Sequence, residues 1–94
     1  MAPRSTVTPY SCQVLKRTLY VYAEDHGPPH AHVRMNKDSG GWIRCLLTDG
    51  RRWPGDVVNR DALRDWPTVQ RALRPMLPVL RENFDRLNPN LHGA

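Results

Sequence analysis

The sequence predicts a small α+β domain: a three- to four-stranded antiparallel meander followed by a C-terminal helical segment packed on one face. Two patterns carry that prediction. Between Gln13 and Leu47, apolar and polar residues alternate in short runs divided by turn residues, which is the period of half-buried strands. From Val69 to Leu87 the apolar residues recur at spacings of three and four, which is one face of a helix. A third observation limits element length: nine prolines in 94 residues cut the chain into short pieces.

The first strand is expected within Gln13–Ala23, a β-branched and aromatic run. Alternation places Leu19, Val21 and Ala23 on one face and Tyr20 and Tyr22 on the other. Glu24-Asp25-His26-Gly27-Pro28-Pro29 has the chemistry of a turn or rigid loop. A second strand is expected from His30 to about Met35, with His30, His32 and Arg34 opposing Ala31, Val33 and Met35. Asn36–Gly41 reads as a turn. Trp42–Leu47 reads as a third strand, with Trp42, Arg44 and Leu46 opposing Ile43, Cys45 and Leu47. Asp49-Gly50 then turns the chain into a short fourth piece near Arg51–Trp53.

In the C-terminal part, Val69, Leu73, Met76, Leu77, Leu80, Phe84 and Leu87 form the apolar helix face. Pro67 suits a first helical position behind Asp65 or Trp66, and Asn59 suits the cap of a shorter turn over Arg60–Arg64. Pro75 and Pro78 predict a kink or break, with both pieces keeping the phase of the stripe. Residues 1–12 are expected as a flexible tail, 13–88 as one compact domain and 89–94 as a C-terminal tail.

No apolar run approaches the ~20 residues of a membrane span, and the N-terminal residues lack the apolar stretch of a secretory signal. Two isolated cysteines, Cys12 and Cys45, are too few for a disulfide scaffold. A cytoplasmic location with no membrane partner is therefore expected. Fourteen Lys and Arg against nine Asp and Glu give a net charge of +5. That favours an anionic partner, either RNA or DNA or an acidic protein surface.

Three of the four histidines fall in Asp25-His26-Gly27-Pro28-Pro29-His30-Ala31-His32. His30 and His32 stand two apart on a strand and so share a face, while the double proline holds His26 near them. Asp25 could orient an imidazole, and Arg34 extends the same face. Three roles fit this spacing. His26, His30 and His32 could act as general acids or bases in cleaving RNA, with Arg34, Arg44 or Lys16 stabilising phosphate charge. His30 and His32 could instead chelate a transition metal such as zinc, with His26 or Asp25 as third ligand; otherwise no cofactor is expected. In the third role the histidines are structural, closing the turn and packing on Tyr20 or Tyr22.

Leu19-Tyr-Val-Tyr-Ala-Glu-Asp-His-Gly-Pro-Pro-His-Ala-His-Val-Arg34 resembles the signature of the bacterial family known as domain of unknown function 4160. That signature is an apolar strand ending in aromatics, then Asp-His-x-Pro-Pro-His-x-His-Val. Asp25, His26, Pro28, Pro29, His30, His32 and Val33 match it, and Arg81-Glu82-Asn83-Phe84 looks like the family's C-terminal end. The likeness covers about residues 13–87, of which only the signature is specific. Ala31 stands where a bulkier residue is common, Asp38–Trp42 is altered, and Trp66-Pro67 fits no part of the pattern. These departures mark a distant or specialised member. The resemblance implies one half of a two-gene toxin–antitoxin pair.

Two functions are therefore expected to compete. One is a toxin-like component of a mobile-element or defence locus, cleaving RNA through His26, His30 and His32 with Asp25 and Tyr22 in support. The other is a non-enzymatic basic module that docks on nucleic acid or regulates a nucleic-acid-processing complex. Its surface would use Arg34, Arg44, Arg51, Arg52, Arg60, Arg64 and Trp53. Trp42 reads more readily as core packing than as a stacking platform, whereas Trp53 and Trp66 fit either.

Overall fold

A computed structural model describes residues 7–23 and 27–89. Strands β1 (Tyr10–Val14), β2 (Arg17–Val21), β3 (His30–Arg34) and β4 (Trp42–Leu46) form one antiparallel sheet in the order β1-β2-β3-β4. Two helices follow, α1 (Arg60–Leu73) and α2 (Leu77–Leu87), joined by a 3-10 turn at Arg74–Met76. The α+β meander with a C-terminal helical layer is the architecture expected. Among the described residues no helix is long and apolar enough to cross a membrane.

The strand assignment differs from expectation at the start. The Gln13–Ala23 run is not one strand but parts of two, a hairpin in which Val14 pairs with Arg17. Its turn residues Leu15 and Lys16 both take positive φ, 48° and 66°. A two-residue turn with φ > 0 at both positions matches the right-handed strand twist, but it normally announces itself with Asn-Gly or Asp-Gly. Leu-Lys carries no such signal. The hairpin also draws Tyr10, Ser11 and Cys12 into β1, so the domain begins within the segment expected as tail. The piece near Arg51–Trp53 does line the sheet edge, though not as a full strand. Arg52 bridges Cys45, Leu46 N–H donates to Arg51 C=O at 2.8 Å, and Trp53 N–H donates to Arg44 C=O at 2.8 Å.

The helical part also starts earlier than expected. Asn59 caps α1 itself, accepting from Ala62 N–H, and the helix runs through Pro67 without stopping. Pro67 is exposed. The hydrogen bond it cannot make would go to the carbonyl of Leu63, a residue on the exposed side of the helix. The expected break falls at the 3-10 turn, with Pro75 in the turn and Pro78 in the first turn of α2. Neither position needs an intrahelical N–H.

One sheet face and one stripe of the helices make the core. Leu19, Val21, Ala31, Val33, Ile43 and Cys45 meet Ala62, Trp66, Val69, Leu73, Leu80, Phe84 and Leu87. Trp66 is therefore a core residue, 5% exposed. Each strand residue found in this layer falls on the face that alternation assigned to it. The Asp49-Gly50 turn docks on the helices: Gly50 (φ 81°) lies against Leu73 and Leu77, and Gln70 Nε2 donates to its carbonyl at 2.9 Å. Asn88, 3% exposed, ties the end of α2 to the end of β2 by donating to Tyr22 C=O at 2.9 Å.

Candidate nucleic-acid interface

The helices cover one face of the sheet, so the alternate residues of each strand point the other way. On that second face alternation and register bring together Tyr20 and Tyr22 from β2 and its end, His32 and Arg34 from β3, and Trp42 and Arg44 from β4. Tyr20 pairs with His32, His32 with Arg44, and Arg34 with Trp42. All six are half-buried.

Their rings form a connected surface. Tyr20 stacks on Tyr22 (centroids 5.7 Å apart, 14° between planes) and lies 5.8 Å from Trp42. Tyr22 meets His32 edge-on at 4.8 Å, and His32 lies 5.0 Å from His30. His30 in turn meets Trp53 edge-on at 4.8 Å. Two guanidinium groups sit over the indoles at either end, Arg34 5.0 Å from Trp42 and Arg44 4.1 Å from Trp53. Both distances suit cation–π attraction. Trp42 thus belongs to this face and not to the core, contrary to the sequence expectation. Position 42 shares its face with Arg44, and register with β3 sets Arg34 beside it.

The two arginines differ in what holds them. Arg44 makes a bidentate ion pair with Asp56, Nε to Oδ2 at 2.8 Å and Nη2 to Oδ1 at 2.6 Å. The Arg44 hydrogen bonds hold the Asp56 carboxyl below its ordinary value, and the charges of Arg44, His32 and His30 act in the same direction. Arg34 makes no ion pair with any described residue. Asp56 was not anticipated from the sequence, since it lies twelve residues from Arg44 in an irregular segment.

The histidines separate into different environments. His30 is 1% exposed. Its Nδ1 lies 2.8 Å from the Pro28 carbonyl, an acceptor only, so Nδ1 carries the proton and donates. Its ring also approaches Phe84 of α2, with centroids 6.1 Å apart. His30 therefore acts at least as a structural link between the double-proline turn and the core. His32 is half-buried at the middle of the ring surface. His26 and Asp25 lie outside the described residues. Among the described residues no three His, Cys, Asp or Glu side chains group closely enough to hold a metal. His30 and His32 alone fall short of the three or four ligands that zinc uses.

Gly27 shows how the signature loop meets the rest of the site. It adopts φ 88°, and a Cβ there would lie 3.1 Å from the Trp53 ring. A side chain at position 27 would strain the backbone and press on the Trp53 ring, the platform under Arg44. The remaining expected binding residues are peripheral. Arg51 is exposed and pairs with Asp49 at 2.9 Å. Arg52 is exposed opposite Cys45, so alternation turns it toward the helix side of the edge. Lys16 sits in the β1–β2 turn. Arg60 and Arg64 lie on α1, where Arg64 pairs with Asp61 and Asp65.

Fold and face together define a class: a small antiparallel sheet with helices on one side and an aromatic, arginine-flanked surface on the other. Comparison with protein-family models, curated proteins and solved structures finds no match to this chain.

Proposed function

We propose that this protein binds single-stranded RNA across the open face of its sheet. The observation that carries the proposal is the continuous ring surface Trp42–Tyr20–Tyr22–His32, with Arg34 at one end and Arg44 at the other. Unpaired bases present flat π-faces that stack on aromatic side chains, each stack worth about 1–3 kcal/mol, while arginines neutralise the backbone. A double helix keeps its bases stacked inside and offers this surface nothing equivalent. The net charge of +5 assists approach without setting the site.

Likeness to the domain of unknown function 4160 signature adds the setting: a toxin-like partner in a mobile-element or defence locus, acting on cytoplasmic RNA and held in check by an acidic cognate protein. A cleaving role is favoured by one specific feature, the central position of His32 opposite Arg44. There His32 would take the proton from a ribose 2′-hydroxyl attacking the adjacent phosphorus, while Arg34 and Arg44 neutralise the added charge. The leaving 5′-oxygen would be protonated by water.

The test is fluorescence anisotropy with a labelled ten-nucleotide RNA, its duplex and a salt series. Single-stranded RNA should bind tightest, and Trp42→Ala or Tyr20→Ala should weaken it by about 5- to 150-fold, the equivalent of one lost stack. Binding unchanged in both variants, or no binding by the wild type at 50 mM salt, would refute the assignment. Gel analysis of the same RNA separates the two roles. His32→Ala should abolish cleavage and retain binding if the face is catalytic.

A further inference from the structure

The open face contains an internal carboxylate that meets an arginine in the geometry a phosphate would use. Arg44 presents Nε and Nη2 to the two oxygens of Asp56 at 2.8 and 2.6 Å. That two-pronged arrangement is equally suited to two phosphate oxygens. The guanidinium has a second support besides Asp56. It lies 4.1 Å over Trp53, whose own N–H is tied to the Arg44 carbonyl at 2.8 Å and whose ring is flanked by Gly27 and His30. The carboxylate comes from an irregular, solvent-facing stretch of chain. Asp56 belongs to an irregular segment in which Pro54, Gly55 and Val57 are exposed, Val57 at 90%, and a Cβ at Gly55 would meet nothing within 4 Å.

We propose that Arg44 is a phosphate seat which Asp56 fills in the unliganded protein. A backbone phosphate of single-stranded RNA then binds by displacing the Asp56 carboxylate. This rests on the reading of the open face as an RNA surface. Arg34, which has no ion-pair partner among the described residues, is the first electrostatic contact. Arg44 engages second, once Asp56 has swung away. Asp56 thereby lowers the affinity of every polyanion that uses Arg44, so that a ligand which also stacks on the rings is the one that still binds tightly. His32 and His30 face Asp56 from β3, and Arg44 faces it from β4.

The experiment measures RNA affinity over a salt series for wild type, Asp56→Asn, and Asp85→Asn as a remote control of equal charge change. Asp85 lies on α2 in an ion pair with Arg81, on the helical side of the domain. Asp56→Asn should bind single-stranded RNA about fivefold tighter or better, because an ion pair no longer has to be broken. Its gain on duplex RNA should be at least as large. In unaltered protein, the Asp56 carboxyl 13C resonance followed against pH should show its titration rising toward the ordinary carboxylate value when RNA is added. This readout needs no variant to fold. Equal tightening by Asp85→Asn, or an Asp56 titration unmoved by saturating RNA, would overturn the exchange while leaving the RNA surface intact. Absence of RNA binding in every form would remove both.

Discussion

Replacing Asn59 by alanine tests how the helical layer is locked to the face-forming hairpin. The Asn59 side chain makes four hydrogen bonds. Its Oδ1 accepts from Ala62 N–H at 2.9 Å and from Asn36 Nδ2 at 3.0 Å. Its Nδ2 donates to Asn36 Oδ1 at 2.9 Å and to the Ser39 carbonyl at 3.0 Å. Loss of a helix N-cap costs about 1 kcal/mol. The reciprocal amide pair and the Ser39 bond are part-buried or exposed, so each is worth about 0.5–1 kcal/mol net. The sum is about 2.5–4 kcal/mol, a large share of the roughly 5–14 kcal/mol expected for a domain of this size. Thermal melts followed by circular dichroism should show Tm falling by about 10–30 °C, at 4–8 °C per kcal/mol. Asn59→Asp keeps the cap acceptor and loses only the donors, so it should recover about 1 kcal/mol of the deficit. Combining Asn36→Ala with Asn59→Ala should cost less than the sum of the single changes, because each removes the same pair. An Asn59→Ala variant within 0.5 kcal/mol of wild type would refute the reasoning. Asn59 also closes the irregular segment bearing Asp56, with its own N–H donating to Gly40 C=O at 2.8 Å. If the open face is an RNA surface as proposed, the destabilised variant should therefore bind RNA with altered salt dependence as well.

Other expectations follow from burial and charge. Cys45 is fully buried and its thiol is pushed up to about 12, so it should resist thiol reagents until the protein unfolds. Half-buried Cys12 should react first in a timed titration, and equal rates would refute this. His30→Ala should destabilise by about 2–4 kcal/mol, since it leaves a cavity and an unpaired Pro28 carbonyl. Compared with it in urea melts, His32→Ala should cost about 1 kcal/mol or less. Equal losses would contradict the separation of the two rings. Asp56 titrates lower in the folded than in the unfolded chain, so its contribution is full above the unfolded value of 3.8 and fades as pH falls toward the depressed one. Between neutral pH and pH 3, Asp56→Asn should therefore lose less stability than wild type.

What the sequence disclosed, and what it withheld, follows from the range of the interactions involved. Side-chain direction along a strand is local, with a period of two, so the division of Ala31 and Val33 from His32 and Arg34 was readable without any knowledge of pairing. The helix stripe from Val69 to Leu87 was readable for the same reason, and it survived Pro75 and Pro78 because they fall where a helix is ending or starting. The β1–β2 hairpin was not readable. Leu15 and Lys16 accept left-handed conformations that cost about 1–2 kcal/mol each, and the five-residue register with β2 offsets that cost. The helix start was misplaced because Pro67 looked like a beginning, when capping by Asn59 eight residues earlier outweighs it.

The site shows the same division. Arg34, Arg44, Tyr22, His32 and Trp53 were each identifiable by residue type, yet nothing in their spacing foretold that Asp56 would occupy Arg44 or that Gly27 would lie under Trp53. Those contacts join segments 12 and 26 residues apart, and they exist only because the edge strand folds back at Asp49-Gly50 to bring Trp53 beside β4. The histidine signature is therefore best understood as part of a packed corner. His30 fixes the double-proline turn against the core, and that turn fixes Trp53. Trp53 in turn holds Arg44 flat. Among the described residues of the signature, His32 is the one placed on the open face, among the rings and arginines that give the face its chemistry.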